Sequence, residues 1–438
     1  MKVITIKEPY ASLIAKGLKE YEFRTWPTQY RGPILIQASK KPNREALKTY
    51  KDLDLNYMDG YIFAKANLTE CTYIDDEMRK YLKAKNYRIY KGIIDDKSWQ
   101  GYGFKLENIE LIEPIKINGK LGLWNYDTRT ENRPVYEEYR RMLGYEEMPE
   151  FLKKYLQVPS LIRLRDIGYF CGMDYASKDI YNFKEYISRY DHSLTVALAT
   201  WKYTHDKKST LAGLFHDIAT PCFAHVIDYM NKDYEKMEST EEATEYILKH
   251  DKKLISLLKK DSINIEEIID FKKYSIVDID RPKLCTDRLD GIILPGIFWT
   301  KSIDIDDARK IVDDIKVFTN ECGEREIGFQ NEKIARIALM ASDSIDRFCH
   351  SDEDNYMMEL LAKITRESIE NKIITYDELY TSTENEIMYK LETSKNRKIE
   401  KLLNHFKTAK KDEIIATKNA NIKIKDLNPL VNGNRLKK

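Results

Sequence analysis

Residues 211–225 read LAGLFHDIATPCFAH. Leu211, Leu214, Phe215 and Ile218 recur at helical spacing, so one side of this segment faces a core. His216 and Asp217 then sit at the edge of that core, away from bulk water. Burying both costs on the order of several kcal/mol unless something pairs with them. A divalent metal ion would supply the partner, because a neutral imidazole and a carboxylate both ligate first-row dications.

The surroundings of this stretch strengthen that expectation. Four of the seven histidines, His192, His205, His216 and His225, fall within 34 residues. RYDHSLTVALATW puts His192 at the start of an apolar helix, and PKLCTDRLDGII is expected to open another at Pro282 and to carry Asp287. Three helices can then converge on one ion through His192, His216, Asp217 and Asp287. Two imidazoles and two carboxylates leave positions open on an octahedral ion, so that a water there is acidified and aimed at phosphorus. The donor set suits Mn, Fe, Co, Ni or Mg to differing degrees. Asp290 shares a face with Asp287 at i+3 spacing and is either a carboxylate behind the ligands or a surface charge. His205 lies near a loop and reads as a surface residue. Lys207 and Lys208, placed in a turn with KKST, either meet substrate phosphate or stay solvated.

The order H…HD…D resembles the HD-domain metal-dependent phosphohydrolases, over about Val158 to Leu391. RYDHSL, LFHDIATPCFAH and TDRLDG are similar to segments of the branch that contains deoxynucleoside triphosphate triphosphohydrolases. The resemblance implies His192, His216, Asp217 and Asp287 as metal ligands and His225 as a contact to substrate phosphate. Two departures stand out. Thr220 occupies a position where that branch commonly has a further histidine, and Met237-Glu238 stands where it has a catalytic His-Glu pair. Glu238 or Glu241 could move the proton instead if burial raised its pKa, and Asp228, three residues after His225, is another candidate. The competing reading of Glu238 is a helix cap or surface charge.

The first 125 residues read differently. VITI is a strand, Pro9 opens a helix through Ala11, Leu13 and Ile14, and Gly17 closes it. KEYEFRTW alternates Tyr21 and Phe23 with Glu22 and Arg24; ILIQAS, GYIFAKANLTEC and GFKLENIELIEPI add further strands. This predicts a small curved sheet or barrel. GLKEYEFR at 17–24, followed by Trp26 and Arg31-Gly32, resembles the ASCH domain with its G-x-K-x-x-E-x-R signature, and GKLGLW at 119–124 is similar to that domain's end. The resemblance implies a PUA-like β-barrel with a cleft for RNA, DNA or a modified nucleobase, lined by Lys19, Glu22 and Arg24. Lys and Arg contact phosphate, and Trp26 and Tyr30 offer stacking faces. The alternative is that Lys19, Glu22 and Arg24 form a salt-bridge network holding the barrel.

Composition bounds the rest. With 438 residues and 42% hydrophobic content the chain can build two or three cores. The scattered cysteines form no close C-x-x-C pair, which argues against a zinc knuckle or a disulfide framework and fits a reduced cytoplasm. No apolar run is long enough for a membrane span, and charges interrupt the first ten residues, so no signal sequence is expected. The net charge of +1 conceals a basic front, 22 Lys/Arg against 16 Asp/Glu over 1–125, and a basic end, 13 against 4 over 395–438. The centre is therefore acidic, and contact with a polyanion is expected at the ends.

The expected architecture is multidomain α+β. A PUA-like (ASCH) β-barrel spans 1–125, a connector 126–157, an all-α HD domain 158–394 and a basic tail 395–438. The expected activity is metal-dependent phosphohydrolysis of a nucleotide or a short nucleic-acid end, using one divalent ion. His192, His216, Asp217 and Asp287 would hold the ion; His225, Asp228 and Glu238 would act on phosphate and proton; Lys19, Glu22, Arg24 and Trp26 would recognise the nucleotide or nucleic acid. No membrane partner is expected, and a homo-oligomer is compatible with the sequence. Two rival readings are an ASCH-based RNA- or DNA-binding protein with a weakly active HD sensor, and hydrolysis of a modified nucleobase by the ASCH domain.

Overall fold

The computed structural model describes residues 1–116, 122–126, 133–232, 243–414 and 426–436. The chain divides into two units, Met1–Thr128 and Arg129–Lys438.

In the first unit the alternating segments become strands β1 (Lys2–Ile6), β2 (Tyr21–Arg24), β3 (Gly32–Ala38), β4 (Tyr61–Tyr73), β5 (Tyr102–Lys116) and β6 (Leu123–Asn125). They form one sheet in the order β2-β5-β4-β3-β1-β6, with β1 parallel to β3 and the other pairs antiparallel. Register shifts along β3–β4 and β4–β5 mark bulges, and bulges bend strands and increase twist, curling the sheet into a half-barrel. Ile4, Ile34, Ile36, Ala64 and Phe104 pack together as its core. Helix α1 (Tyr10–Ala15) follows Pro9 as its composition predicts, and Gly17 leaves it with φ +73°, a conformation that favours glycine. Helices α2 (Arg44–Thr49) and α3 (Asp76–Asp95) are additions that the strand-dominated reading did not contain. α3 starts on an N-cap, the Asp75 carboxylate accepting the Met78 N–H, and buries Leu82 and Ile89. Residues 119–121 of the GKLGLW segment lie outside the described residues.

The second unit is mainly helical. Its first half contains α4 (Pro134–Met142), α5 (Glu150–Tyr155), α6 (Pro159–Arg163), α7 (Arg189–Thr204), α8 (Lys207–Phe215), α9 (Val226–Asn231), α10 (Thr244–His250), α11 (Lys252–Lys260) and α12 (Glu266–Ile269). The second half contains α13 (Thr286–Phe298), α14 (Ile305–Asp314), α15 (Glu332–Cys349), α16 (Asp352–Glu370), α17 (Tyr376–Thr381), α18 (Glu384–Thr393) and α19 (Arg397–Thr408). α8 is the central helix: every residue from Ser209 to Phe215 is buried. Each fully buried leucine or phenylalanine there contributes about 1.5–3 kcal/mol.

Three expectations change here. Residues 134–155 are not a connector, because Tyr136, Tyr139, Leu152 and Tyr155 are buried in the core of the second unit. Within the basic tail, Ile399, Leu403 and Phe406 at helical spacing bury one face of α19. The KKST turn is the first turn of α8, capped by the Asp206 carboxylate accepting from the Ser209 N–H. Finally, the helix carrying Asp287 starts at Thr286 rather than Pro282, because Cys285 is extended and its sulfur caps the Arg288 N–H.

A small sheet also joins the helices. β7 (Ile315–Thr319) and β8 (Arg325–Phe329) form a hairpin, and β9 (Leu430–Val431) runs parallel to β8 before β10 (Asn434–Arg435). Glu326 of β8 is fully buried and is neutralised by Arg435, whose Nη1 and Nη2 donate to its two carboxylate oxygens at 2.6 and 2.7 Å. Glu326 also accepts the Leu284 N–H at 3.0 Å, and the Asn428 N–H reaches the Pro282 carbonyl at 2.8 Å. The sheet thereby braces the segment that leads into α13.

Candidate metal centre

Three helix ends bring the chemistry together. α7 begins with a capping box in which Ser188 and Asp191 satisfy each other's backbone N–H groups, and this fixes Arg189 and His192 in the first turn. α8 ends on His216 as its C-cap, with Asp217 next, and α13 carries Asp287 and Asp290 in its first turns.

The donor atoms of His192, His216 and Asp217 all lie within 4.8 Å of one another. Asp287 Oδ1 lies 3.0 Å from His192 Nε2 and 3.4 Å from His216 Nε2. The tautomers follow from the other ring nitrogens. His192 Nδ1–H donates to Asp290 Oδ2 at 2.6 Å and His216 Nδ1–H donates to the Gly213 carbonyl at 2.7 Å. Both Nε2 lone pairs consequently face the carboxylates, and His216 Nε2 is buried without a hydrogen-bond partner among the described residues. Lone pairs facing carboxylate oxygens at these distances repel unless a metal ion or a proton lies between them. The residues thus fit a divalent ion held by two nitrogens and two carboxylates.

The electrostatics say the same. Burial disfavours a charged His192, yet Asp287 and Asp290 outweigh it and raise its pKa to about 10. Burial likewise works against Asp217, but His216 and Arg189 hold its carboxyl down to about 2. Asp287 is held well below the usual carboxylate range by the two imidazoles, again against burial. Without an ion the ionised carboxylates keep a proton on His192, and a dication bound at this position would take that proton's place. A second cluster, Asp278, Cys285 and Asp287, shares Asp287 with the first. Its thiol is neutral, because burial pushes Cys285 up to about 12, and its sulfur is already occupied as the cap of α13.

The centre opens into a cavity of about 370 Å³, within the range of small-molecule sites. Arg189 and His225 line it beside the four converging residues, and Phe170, Phe183 and Trp299 line its apolar part. Arg189 was missed in the sequence. It is buried, donates to Asp217 Oδ2 at 2.8 Å and stacks over Tyr169 at 4.9 Å. His225 is held through Nδ1 by Asp228 Oδ2 at 2.9 Å. Asp228 itself is fully buried and does not line the cavity, so it acts on the cavity only through His225. Glu238 and Glu241 lie outside the described residues. Thr220 is buried and its hydroxyl oxygen finds no hydrogen-bond partner among the described residues.

The backbone that delivers His225 is unusual: Phe223 and Ala224 both have positive φ, +67° and +46°. For residues with side chains this costs about 1–3 kcal/mol each and persists only where the surroundings enforce it. They do so here. Glu384 Oε1 accepts the Phe223 N–H, the Leu379 carbonyl accepts the Cys222 N–H, and Arg163 donates to the Thr220 carbonyl.

Other predicted residues lie elsewhere. His205 is exposed at the end of α7, as expected. Lys207 and Lys208 pair with Asp261 and Glu267 and do not line the cavity. Asp290, open between two readings in the sequence, is 1% exposed and sits behind His192.

In the first unit, Lys19, Glu22 and Arg24 form one network: Glu22 receives Lys19 at 2.6 Å and Arg24 at 3.1 Å. Lys19 is 3% exposed, its pKa lowered by burial against the pull of Glu22, and it lies 5.0 Å from the Phe23 ring centre. Arg24 also donates to the Thr5 carbonyl at 2.8 Å. Trp26 packs edge-on against Phe104 at 5.1 Å and is half-buried. The network reading of these residues therefore has a geometric basis, and Lys19 is not a free surface cation. Glu8, which the sequence did not single out, is fully buried and accepts hydrogen bonds from Ser12 and Met58.

Comparison with known proteins places both units. Residues 4–119 match the ASCH domain and residues 189–293 match the HD domain. The uncharacterized protein YdhJ of Bacillus subtilis is 24% identical over 51% of the chain and 66% of its own length. A metal-dependent phosphohydrolase of Cordyceps militaris is 24% identical over 36% of the chain and 44% of its length. Human activating signal cointegrator 1 is 26% identical over 29% of the chain and 22% of its length. The chain thus spans less than two thirds of each of these relatives. Among solved structures, a hypothetical protein from Aquifex aeolicus and a phosphohydrolase from Bacteroides thetaiotaomicron each align with 59% of the chain at 16% identity. They cover 71% and 73% of those chains, with TM-scores of 0.43 and 0.40.

Proposed function

We propose that this protein is a metal-dependent phosphohydrolase acting on a nucleotide or a nucleic-acid end, with its ASCH unit recognising nucleotide or nucleic acid. The observation that carries this reading is the meeting of His192, His216, Asp217 and Asp287 at one wall of a cavity, within the residues that match the HD domain. Those four residues would hold the ion. A divalent ion bound there polarises a phosphoryl oxygen and makes a water molecule nucleophilic near neutral pH.

The protein's own residues supply the remainder. Arg189 brings positive charge and hydrogen-bond donors to the cavity for the phosphate, and His225 is the proposed second contact, its ring fixed by Asp228. Glu238 remains the proposed proton carrier where the triphosphohydrolase-like branch has its His-Glu pair. That branch supports a nucleotide substrate, and Thr220 in place of a further histidine argues for a substrate or phosphate number different from a deoxynucleoside triphosphate. A cavity of this size favours a single nucleotide or a short end over a threaded strand. In the ASCH unit, Arg24, with a quarter of its side chain exposed, and Trp26 are the proposed contacts, held in place by Glu22 and Lys19. The cysteines, none of them joined in a disulfide among the described residues, support a reducing, cytoplasmic setting, and no helix among the described residues is long and apolar enough to cross a membrane.

The sensor reading is the second one. It is favoured by Thr220, whose buried hydroxyl replaces an ionisable side chain near the centre. A phosphate-release screen separates the two. Protein reconstituted with Mn, Fe, Co, Ni or Mg is offered nucleoside mono- and triphosphates and short RNA and DNA. Turnover that disappears in His216→Ala and Asp217→Ala supports the hydrolase; stoichiometric metal without turnover of any of these substrates supports the sensor.

A further inference from the structure

We propose that Tyr139 is a positioning residue for the metal centre, acting through Asp290 on His192. The proposal rests on the metal-site reading above and reaches outside the HD-matched residues, since α4 precedes them by about fifty positions in sequence.

Three buried side chains from three helices form an unbroken line. The Tyr139 hydroxyl of α4 donates to Asp290 Oδ1 at 2.6 Å, and His192 Nδ1–H of α7 donates to Asp290 Oδ2 of α13 at 2.6 Å. All three residues are 2% exposed or less. Thr195, one turn after His192, adds a third donor to Asp290 Oδ2 at 2.9 Å. Asp290 is therefore held by a tyrosine, a threonine and the imidazole that it orients. The orientation matters because an Nδ1–H donor on His192 leaves the Nε2 lone pair facing Asp287 and the ion position. A carboxylate on a helix has free rotation about its side-chain bonds unless its oxygens are tied. Among the described residues Tyr139 alone is seen to tie Oδ1. Without it the carboxylate can turn, and the imidazole loses its fixed aim.

The same helix supplies its own control. Tyr136 is also fully buried, and its hydroxyl donates to the Asp191 backbone carbonyl at 3.2 Å. That carbonyl lies in the first turn of α7, where the backbone N–H four residues on already bonds it, so loss of the Tyr136 hydroxyl leaves it satisfied and leaves Asp290 untouched. Tyr136→Phe and Tyr139→Phe are the same chemical change on one helix at matched burial.

The experiment measures Mn2+ affinity by calorimetry and the visible spectrum of the Co2+-loaded protein, on the full chain and both variants. Tyr139→Phe is expected to weaken Mn2+ binding about ten-fold, as loss of outer partners of a ligating histidine does, and to alter the Co2+ spectrum. Tyr136→Phe is expected to stay within about two-fold of the unmodified protein, with its spectrum unchanged. Thr195→Val, which removes another donor from Asp290, should also weaken binding and stands in if Tyr139→Phe does not fold. Equal affinities in all variants, or equal losses in Tyr136→Phe and Tyr139→Phe, overturn the proposal while leaving the metal site intact. Failure of the unmodified protein to bind Mn2+ stoichiometrically overturns the metal-site reading and the proposal together.

Discussion

Glu384 accepts the backbone N–H of Phe223 at 3.1 Å across 161 residues of chain. This contact holds the left-handed turn that delivers His225 to the cavity. Glu384→Ala leaves a buried N–H unsatisfied and releases the turn. The expected cost is about 1–3 kcal/mol of stability and a larger fall in kcat than in Tm alone would suggest. Glu384→Gln keeps an acceptor and should retain most of both. Urea unfolding and phosphate release on the two variants check this; an inactive but stable Gln variant would show that the charge, not the acceptor, matters.

Gly172 faces the same turn. Its φ is +76°, and a Cβ there would meet Phe223 Cδ1 at 2.6 Å and Leu361 Cδ2 at 2.9 Å. Gly172→Ala is expected to destabilise the protein by about 1–3 kcal/mol through combined backbone strain and overpacking. A melting temperature equal to the parent's would rule out this account of the contact.

Metal removal should act on both binding and rate. Chelation is expected to abolish phosphate release, and Mn2+ or another first-row dication should restore it. His216→Ala and Asp217→Ala should lose stoichiometric metal and at least about a thousand-fold in rate, because each takes a ligand from a centre that supplies both nucleophile and charge. Elemental analysis of the purified variants provides the readout that does not depend on knowing the substrate.

Acid stability should depend on Asp261. Burial opposes its charge, but Lys154, Lys207 and Tyr155 hold its carboxyl down to about 2. A carboxyl that is more acidic folded than unfolded contributes stability that is complete above its unfolded pKa of about 3.9 and is lost as pH falls from there through the folded value. Urea midpoints measured from pH 5 down to pH 2 should therefore fall more steeply for the parent than for Asp261→Asn. Parallel curves would mean that these contacts add nothing to stability.

In the ASCH unit, Arg24→Ala is expected to weaken short RNA or DNA binding and to lower its salt dependence by about one ion. Lys19→Ala should chiefly destabilise the unit, since it takes from buried Glu22 the nearer of its two cation partners. Filter binding across salt, with a thermal melt of each variant, distinguishes the two. An Arg24→Ala protein with unchanged affinity would remove Arg24 from the interface.

Much of this was legible in local pattern. Alternation gave the strands from β1 to β5, and helical periodicity with His192, His216-Asp217 and Asp287 at helix ends anticipated residues that do lie together. What escaped depends on contacts distant in sequence. The pairing of Arg133 with Asp191, 58 positions apart, and of Tyr139 with Asp290, 151 apart, has no local signature. A polar stretch rich in Tyr, Glu and Arg therefore reads as a connector while it serves as a wall of the core. Periodicity put Asp290 on the face of Asp287 but could not say that the face was buried. The hairpin was different. IKVFT and REIGF flank a turn containing Gly323, a readable signal hidden by the helices on both sides.

The arginine that neutralises Glu326 is synthesised 109 residues after it. During translation, β8 therefore emerges with an acidic side chain destined for the interior and no counter-charge yet made. Until Arg435 arrives, this carboxylate must stay in water, and the loop into α13 lacks the brace that Glu326 gives Leu284. The second unit can thus reach its finished form only after Arg435 has been made, whereas the amino-terminal sheet, complete by Asn125, can fold while synthesis continues.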